Sequence, residues 1–382
     1  MPFDALPPLS LYIHYPWCEK KCPYCDFNSH ENAERPEGAY IEALLDDLDY
    51  DLHHIQGRRV ETLFIGGGTP SLMTAENLSL LMKGIANRLD LCPSLEATME
   101  ANPGSAESEK FAAFYSAGIN RLSLGIQSFE DLHLQKLGRI HSSDQAHRAI
   151  ELVKQAGFRN FNLDLMHGLP GQSVDNACKD IMTAVSHQPT HLSWYQLTVE
   201  PNTVFHSKPP LLPVENTLAD IQHEGEKLLL NAGFKQYEVS AYNQDDLSSR
   251  HNLNYWNFGD YLGIGAGAHG KITRRNGEIV RYSKRKQPGE YLRGRAKSFY
   301  AQQRVINPED IPGEFMMNAL RLNKGFTLDQ YQDRTGLSAQ SIEAVVDRLV
   351  NKNLLIRRGK WLTTTQLGAN FLDSVTAEFL GT

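Results

Sequence analysis

Three cysteines near the start of the chain, Cys18, Cys22 and Cys25, combine residue type and spacing in a way that indicates metal chemistry. A cubic four-iron cluster binds one thiolate per iron, so a single Cys-x3-Cys-x2-Cys loop can ligate three of its corners. The other two cysteines, Cys92 and Cys178, lie far away in the sequence. The fourth iron would therefore stay open for a small molecule, which in radical chemistry is S-adenosylmethionine (SAM).

A structural zinc ion is the alternative for the same three cysteines. Zinc prefers four nitrogen or sulfur ligands, and His14 or His30 would be the fourth. The number and type of the ligands favour the iron–sulfur cluster. Of the remaining cysteines, we expect Cys92 in a loop and Cys178 packed on a helix.

The composition of the chain narrows the classes of function. Its 382 residues, 41% hydrophobic and 22% charged, are typical of a soluble protein with one large domain and a smaller one. The sequence contains no apolar run of membrane-spanning length and no secretion signal. Because thiols that bind iron need a reducing compartment, we expect a cytoplasmic protein. The net charge of −7 argues against general nucleic-acid binding.

Short apolar runs alternate with helix-length amphipathic segments in the first part of the chain. This alternation predicts right-handed crossovers and a parallel sheet, and six such units favour a partial (β/α)6 TIM-like barrel over a closed eightfold one. Thr74 and Ser143 are candidate helix N-caps. The expected strands are residues 9–15, 62–65, 97–100, 121–126, 161–166 and 191–197, and the expected helices are residues 38–55, 75–89, 108–117, 143–156 and 174–187.

Glycines and polar residues follow the ends of these strands, where parallel α/β folds bind their ligands. The glycines 66–68 allow a ligand to approach the backbone closely, although a tight turn would also use them. Glu100, Gln127 and Asp164 each follow a strand, and Arg139 comes shortly after Gln127. Carboxylate and amide groups suit ribose hydroxyls, and an arginine suits a ligand carboxylate. Each could be satisfied by local backbone, but together they predict one binding site.

Together these residues resemble the radical SAM superfamily, specifically its coproporphyrinogen-oxidase-like branch. The cysteine loop, Gly-Gly-Gly-Thr-Pro, Met-Glu-Ala-Asn-Pro, Gly-Ile-Gln-Ser-Phe, Leu-Gly-Arg and Asp-Leu-Met-His-Gly-Leu-Pro occur in the family's order. The resemblance implies a [4Fe-4S] cluster on Cys18, Cys22 and Cys25. It also implies that SAM is contacted by Tyr12, Gly67, Gly68, Thr69, Glu100, Gln127, Arg139 and Asp164.

One departure from the oxidase pattern separates two branches. Oxidases carry a fourth cysteine at the position of Phe27 and a longer arm than residues 1–10 before the first strand. Phe27, the short arm and the His-Asn-x-x-Tyr-Trp sequence at 251–256 resemble the HemW group of heme chaperones. The resemblance implies that the chain carries heme to acceptor hemoproteins, expected to be respiratory, without oxidase activity. The alternatives are an oxygen-independent coproporphyrinogen III dehydrogenase, or a radical SAM enzyme acting on another tetrapyrrole.

Four residues of that sequence are candidate heme contacts: His251, Asn252, Tyr255 and Trp256. Imidazole and phenolate groups can ligate heme iron, and an indole can stack on a porphyrin. The alternative is a helical turn whose aromatic side chains pack beneath the barrel. If His251 is the ligand, its replacement should shift or abolish the Soret band of bound heme.

Ten Lys and Arg residues against two acidic ones lie between residues 271 and 297. A solvated hairpin and linker is one interpretation. The other is contact with an anionic group: heme propionates, an acidic protein or the cytoplasmic leaflet as a peripheral membrane contact. A homodimer is also compatible with the sequence. The basic residues are Lys271, Arg274, Arg275, Arg281, Lys284, Arg285, Lys286, Arg293, Arg295 and Lys297.

The pattern after residue 312 changes to successive helices with a short basic strand pair that is typical of a winged helix. A DNA-binding role is disfavoured, because the recognition-helix position carries Glu343 and Asp347 against Arg348 alone. We expect instead a lid over the mouth of the barrel. The predicted domains are the radical SAM core at 1–245, the motif and basic hairpin or linker at 246–311, and the C-terminal winged-helix-like, mostly helical domain at 312–382.

Overall fold

The computed structural model describes residue 3 and residues 5–31, 34–104, 109–296 and 298–380. Twelve strands of this part of the chain form one continuous sheet, and the others form a three-stranded and a two-stranded sheet. The strands are β1 (Leu9–Tyr15), β2 (Trp17–Cys18), β3 (His30–Glu31), β4 (Val60–Gly67), β5 (Leu91–Ala101), β6 (Arg121–Gln127), β7 (Asn160–His167), β8 (His191–Gln196), β9 (Lys235–Glu238), β10 (Ala241–Asn243), β11 (Asp260–Ile264), β12 (His269–Thr273), β13 (Ile279–Lys284), β14 (Tyr300–Val305), β15 (Phe326–Thr327), β16 (Leu355–Arg358) and β17 (Trp361–Thr364).

The centre of the large sheet is parallel and contains all six strands expected from the sequence. Its order is β14-β13-β12-β11-β1-β4-β5-β6-β7-β8-β10-β9. Strands β11, β1 and β4 to β8 run parallel, and the strands at both edges are antiparallel. Central strand β1 is buried along nearly its whole length, as expected for a parallel strand covered on both faces. The expected α/β partial barrel is confirmed, as an open mixed sheet.

Helices connect the parallel strands close to the expected positions. The segment expected at 108–117 is helical over Phe111–Ser116, and Ser108 lies outside the described residues. Within the described residues the α-helices are Glu37–Asp51, Ala75–Ala86, Phe111–Ser116, Asp131–Lys136, Ser143–Gln155, Val174–Ser186, Val204–Ser207, Glu215–Asn231, Arg250–Trp256, Pro288–Arg293, Ile311–Ala319, Leu328–Thr335, Gln340–Asn351, Gln366–Asn370 and Leu372–Ala377, with 3-10 turns at Leu52–His54, Pro70–Leu72 and Gly294–Ala296.

Side-chain caps explain where two of these helices begin. Thr74 accepts a hydrogen bond from the backbone of the first turn that follows it, as predicted. The prediction of a cap at Ser143 is one residue too late. Ser142 is the cap, because its side chain and that of Gln145 each bond to the other's backbone N–H.

The segment 246–311, predicted to hold the motif and a basic hairpin or linker, contributes four of the described strands to the large sheet. β11 pairs in parallel with β1, and β12, β13 and β14 extend the same edge. Leu262, Ile264 and Tyr282 pack in the main hydrophobic core. The core of the barrel therefore extends beyond residue 245, because a strand that is late in the sequence completes one side of the sheet.

The C-terminal residues form a second hydrophobic cluster of helices around Phe315 and Tyr331. Strands β15, β17 and β16 form the small sheet of the expected wing. On the helix Gln340–Asn351, Glu343 and Asp347 both pair with Arg357 of the wing. The predicted C-terminal helical domain is confirmed. None of the described helices is long and apolar enough to cross a membrane.

Candidate functional site

The three cysteines line one cavity of about 370 Å³, here called the cysteine cavity. Cys18 ends β2, which pairs with β3, and Cys22 and Cys25 lie in the loop between these strands. The backbone N–H of Cys25 donates to the carbonyl oxygen of Cys22 at 3.1 Å, and all three thiols are free of disulfides. The loop thus directs three thiols to one space, which is the donor set of a four-iron cluster.

Strand ends bring the expected SAM-binding residues to the same cavity, with one exception. The hydroxyl of Tyr12 bonds to Nδ1 of His14 at 3.0 Å, and its side chain lines a larger neighbouring cavity. The volume of the cysteine cavity lies within the range of about 300–1,000 Å³ that is usual for small-molecule sites. The residues that share this cavity with the cysteines include Gly67, Gly68, Thr69, Glu100, Gln127, Arg139 and Asp164.

The glycine loop after β4 passes too close to its neighbours for any other residue. Gly67 has a φ of +116°, and a Cβ there would lie 2.6 Å from the ring of His14. A Cβ on Gly68 would lie 2.5 Å from the carbonyl oxygen of Trp17. Both glycines also line the cysteine cavity, where a ligand can approach their backbone closely.

Arg139 crosses from the strand ends to the cysteine loop. Its Nη1 lies 3.6 Å from Sγ of Cys22, and its Nη2 donates to Asn102 and to the carbonyl oxygen of Gly125, both at 2.8 Å. Its buried Nε has no partner among the described residues. A buried donor without a partner indicates a missing acceptor, and a ligand carboxylate would satisfy it. The residues present therefore fit both a cluster and SAM.

Two carboxylates face the same cavity. Burial raises the pKa of Glu100 to about 8, and the nearby Asp164 adds to the shift. The backbone N–H of Gly67 donates to Glu100 at 3.1 Å. Asp164 accepts from Ser123 at 3.0 Å and from Asn162 at 2.8 Å. Such fixed carboxyl groups can hydrogen-bond the hydroxyls of a ribose.

Sequence reasoning missed several residues of this wall, of which Tyr195 is the clearest. Its hydroxyl donates to Oε1 of Gln127 at 2.9 Å, which orients that amide. Tyr195 lies next to the end of β8, so the rule that polar strand ends bind ligands would have found it. Asn102 also lines the cavity and could have been found in the same way.

The geometry does not support the zinc alternative. Both ring nitrogens of His14 are hydrogen-bonded, Nδ1 to Tyr12 and Nε2 to the carbonyl oxygen of Asn28 at 2.8 Å. Nε2 of His30 lies 3.2 Å from Oδ1 of Asn28. Within the described residues, no three His, Cys, Asp or Glu side chains are placed to hold a single metal ion. The described residues thus provide three thiols but no complete set of ligands for one ion, which fits the cluster better than zinc.

A larger cavity of about 740 Å³, here called the aromatic cavity, adjoins the first. Phe27, Gly67 and Glu100 line both cavities. The side chain of Phe27 is 61% exposed, so it stands free at their common wall. The aromatic cavity is further lined by Tyr12, His14, His30, Tyr255, Trp256, Phe258, Tyr261 and His269.

The structure separates the four candidate heme contacts. Asn252 lines the cysteine cavity, whereas Tyr255 and Trp256 line the aromatic cavity. His251 lines neither in the described structure, being only 1% exposed. Its Nδ1 lies 2.8 Å from Oγ1 of Thr62, and its Nε2 lies 2.8 Å from the hydroxyl of Tyr255. The hypothesis that His251 ligates heme iron is not supported, because neither ring nitrogen is free.

Part of the basic segment is held in ion pairs inside the protein. Lys271 pairs with Asp260 at 2.9 Å, and Lys284 is fully buried between Asp47 and Asp51 at 2.6 and 2.8 Å. Further described ion pairs join Arg274 to Glu278, Arg281 to Glu314, and Arg295 to Glu42. Lys271 and Lys284 are therefore buried in ion pairs, and Arg281 is partly buried in one. The ion pairs of Arg274 and Arg295 lie at the surface. Arg275, Lys286 and Arg293 are exposed, so a solvated or anion-binding face stays a prediction for these residues. Lys297 lies outside the described residues.

Cys92 and Cys178 lie away from both cavities. Cys92 is in β5 rather than in the expected loop, with its Sγ 3.3 Å from Oγ of Ser94. Cys178 lies on the helix Val174–Ser186, as expected.

Comparison with known proteins agrees with this geometry. Residues 12–182 match the Radical SAM superfamily, and residues 306–371 match the HemN C-terminal domain. The chain is 48% identical to the heme chaperone HemW of Haemophilus influenzae over 98% of both chains. It is 47% identical to HemW of Escherichia coli over 98% of this chain and 99% of that one. This chain belongs to the HemW family.

The fold of this HemW family member is also that of a solved radical SAM enzyme. The coproporphyrinogen III oxidase HemN of Escherichia coli superposes with a TM-score of 0.82 at 20% identity, covering 98% of this chain and 90% of that one. At this identity the likeness establishes the fold alone. HemW of Bacillus subtilis is 34% identical over 97% of this chain, so the family relationship extends beyond close relatives.

Proposed function

We propose that this HemW family member binds heme and delivers it to acceptor hemoproteins, while a [4Fe-4S] cluster and SAM occupy the cysteine cavity. The observation that carries the proposal is the pair of adjoining cavities with one common wall at Phe27, Gly67 and Glu100. The smaller has the donors for a cluster and SAM, and the larger has the aromatic lining that a flat tetrapyrrole requires. The similarity to curated heme chaperones supports heme as the cargo.

Each part of the cysteine cavity has a separate role in this proposal. Cys18, Cys22 and Cys25 would hold three irons, and a reduced cluster of this kind can supply an electron to bound SAM. Arg139 would bind the carboxylate of SAM through its unpaired Nε. Glu100 and Asp164 would accept hydrogen bonds from its ribose, and the backbone of Gly67 and Gly68 would lie against it.

The oxidase alternative is less well supported. The family resemblance places a fourth cysteine of the oxidases where this chain has Phe27, and the curated relatives that cover nearly the whole chain are heme chaperones. We further propose that the protein works in the cytoplasm and that its acceptors are respiratory hemoproteins. Peripheral contact with a membrane would then occur during delivery.

The test is a transfer assay on anaerobic, cluster-reconstituted protein. The protein is loaded with hemin and mixed with a heme-free b-type cytochrome, with free hemin at the same concentration as the control. We expect transfer that is faster or more complete than from free hemin. A parallel assay with SAM, reductant and coproporphyrinogen III, run beside a competent oxidase, should give no decarboxylated product. Turnover of coproporphyrinogen with no heme transfer would contradict the proposal.

A further inference from the structure

His269 stands out among the three histidines that line the aromatic cavity. Its side chain has no hydrogen-bond partner in the described part of the chain, and it faces a space of about 740 Å³. Both ring nitrogens of His14 are occupied, and His30 is held through Nε2 by Asn28. A neutral imidazole with a free nitrogen is the commonest protein ligand of heme iron.

The backbone of His269 is held rigidly. It begins β12 and lies opposite Ser283 of β13. On its other side β11 passes so close that a Cβ on Gly263 would lie 1.8 Å from the carbonyl oxygen of His269. Binding groups on such strands keep their position better than groups on loops, so this imidazole is presented at a fixed point of the wall.

The surrounding wall suits a large flat ring. Tyr255 and Tyr261 meet edge to face at 4.5 Å between ring centroids. Trp256, which has Arg321 over one face at 4.4 Å, lines the same cavity. Phe27 stands exposed at the same cavity. Aromatic rings of this kind bind a porphyrin by stacking and by edge contacts.

One cation on this wall is available for a propionate. Lys286 is exposed and has no ion pair among the described residues, whereas Lys271 and Arg281 are paired with Asp260 and Glu314. Lys21 also lines the cavity, but its Nζ donates to two carbonyl oxygens of the cysteine loop. The cavity contains the carboxylates of Asp26 and Glu100 as well. A propionate is therefore best accommodated beside Lys286.

We propose that heme binds in the aromatic cavity, with its iron ligated by His269 and a propionate paired with Lys286. The assignment rests on the proposed heme-carrier function and deepens it. It places the ligand on β12 of the sheet and not on His251. It also places the heme against the wall that it shares with the cluster and SAM.

Hemin titration of the full-length, cluster-reconstituted protein tests the assignment through the Soret band. His269→Gly should shift the band and weaken hemin affinity by about ten-fold or more. Added imidazole should restore the original spectrum, because it can occupy the vacated space and ligate the iron. The control His223→Ala, at an exposed histidine that lines neither cavity, should keep the original band. Lys286→Ala should weaken binding of hemin but not of hemin dimethyl ester, which has no propionate charge.

A second variant controls for misfolding, since a glycine inside a strand weakens that strand. His269→Met fills the same space with a different ligand and should also shift the Soret band, while its iron content stays that of the original protein. An unchanged spectrum and affinity in both His269 variants would overturn the assignment, even if the original protein still transferred heme. Failure of the original protein to bind or transfer heme would instead overturn the carrier function itself.

Discussion

The side-chain amide of Asn28 donates a hydrogen bond of 2.8 Å to the carbonyl oxygen of Ala266. Asn28 lies on the cysteine loop, and Ala266 lies in the turn that leads into β12. The same amide donates to the carbonyl oxygen of Lys286 at 2.9 Å, and the backbone oxygen of Asn28 bonds to His14. The loop of the proposed cluster and the wall of the aromatic cavity are thus one hydrogen-bonded unit.

Replacing Asn28 with alanine should therefore affect both cavities. The change leaves the carbonyl oxygen of Ala266 partly buried without its donor, at a cost of about 1–3 kcal/mol, and frees the exposed carbonyl oxygen of Lys286. We expect iron to be lost faster to a chelator and hemin to bind more weakly. The control is Asn370→Ala, whose exposed side-chain oxygen accepts a hydrogen bond of 3.3 Å from Gln366. A change in one property without the other would show that the two cavities are not coupled through Asn28.

Serine in place of Cys18, Cys22 and Cys25 should abolish the broad iron–sulfur absorbance. The fold should survive, because the three thiols line a cavity and form no disulfide. Iron analysis and far-ultraviolet circular dichroism measure the two effects. The matched control replaces Cys92 and Cys178 with serine and should keep its iron. Retention of a full cluster in the triple variant would contradict the ligand assignment.

Lys284→Ala should destabilise the protein strongly. The side chain is fully buried between Asp47 and Asp51, so its removal leaves uncompensated buried charge, which costs about 3–5 kcal/mol. Arg275→Ala is the control from the same basic segment and should change the unfolding free energy by no more than about 0.5 kcal/mol. Urea denaturation measures both. An equal loss of unfolding free energy in the two variants would mean that Lys284 is not paired as described.

The buried His251 should make the protein sensitive to acid. Burial lowers the pKa of His251 to about 3, with repulsion from Arg121 as a smaller cause. Its pKa in the folded state is thus below that of the unfolded chain, near 6.5. The stability that it contributes is present above about pH 6.5 and falls, by at most about 1.4 kcal/mol per pH unit, as the pH drops towards 3.

Urea denaturation of the original protein and of His251→Gln between pH 7.5 and 5 tests this point. The variant should be less stable at pH 7.5, because Thr62 and Tyr255 lose their partner, but should lose less stability on acidification. The Soret band of its hemin complex should stay unchanged. A band shift in folded His251→Gln would return this residue to the position of heme ligand.

The six parallel strands and the cysteine loop were predictable because they depend on residues that are close in the sequence. Apolar runs of strand length mark β1 and β4 to β8, and three thiols in one loop need no distant partner. The position of β11 beside β1 was not predictable in this way. Leu9 and Asp260 pair across these two strands, but they are far apart in the sequence, and no local pattern indicates that they meet.

The sequence by itself determined the family, the donor set for a cluster and the residues that gather at the strand ends, since local pattern and strand direction decide these. Only the tertiary structure decided which histidine is free. His251 is bonded to Thr62, 189 residues away, whereas His269 faces a cavity without a partner among the described residues. An imidazole can ligate iron only if one of its ring nitrogens is free of hydrogen bonds. The residues that form such bonds come from distant parts of the sequence and are brought together by folding.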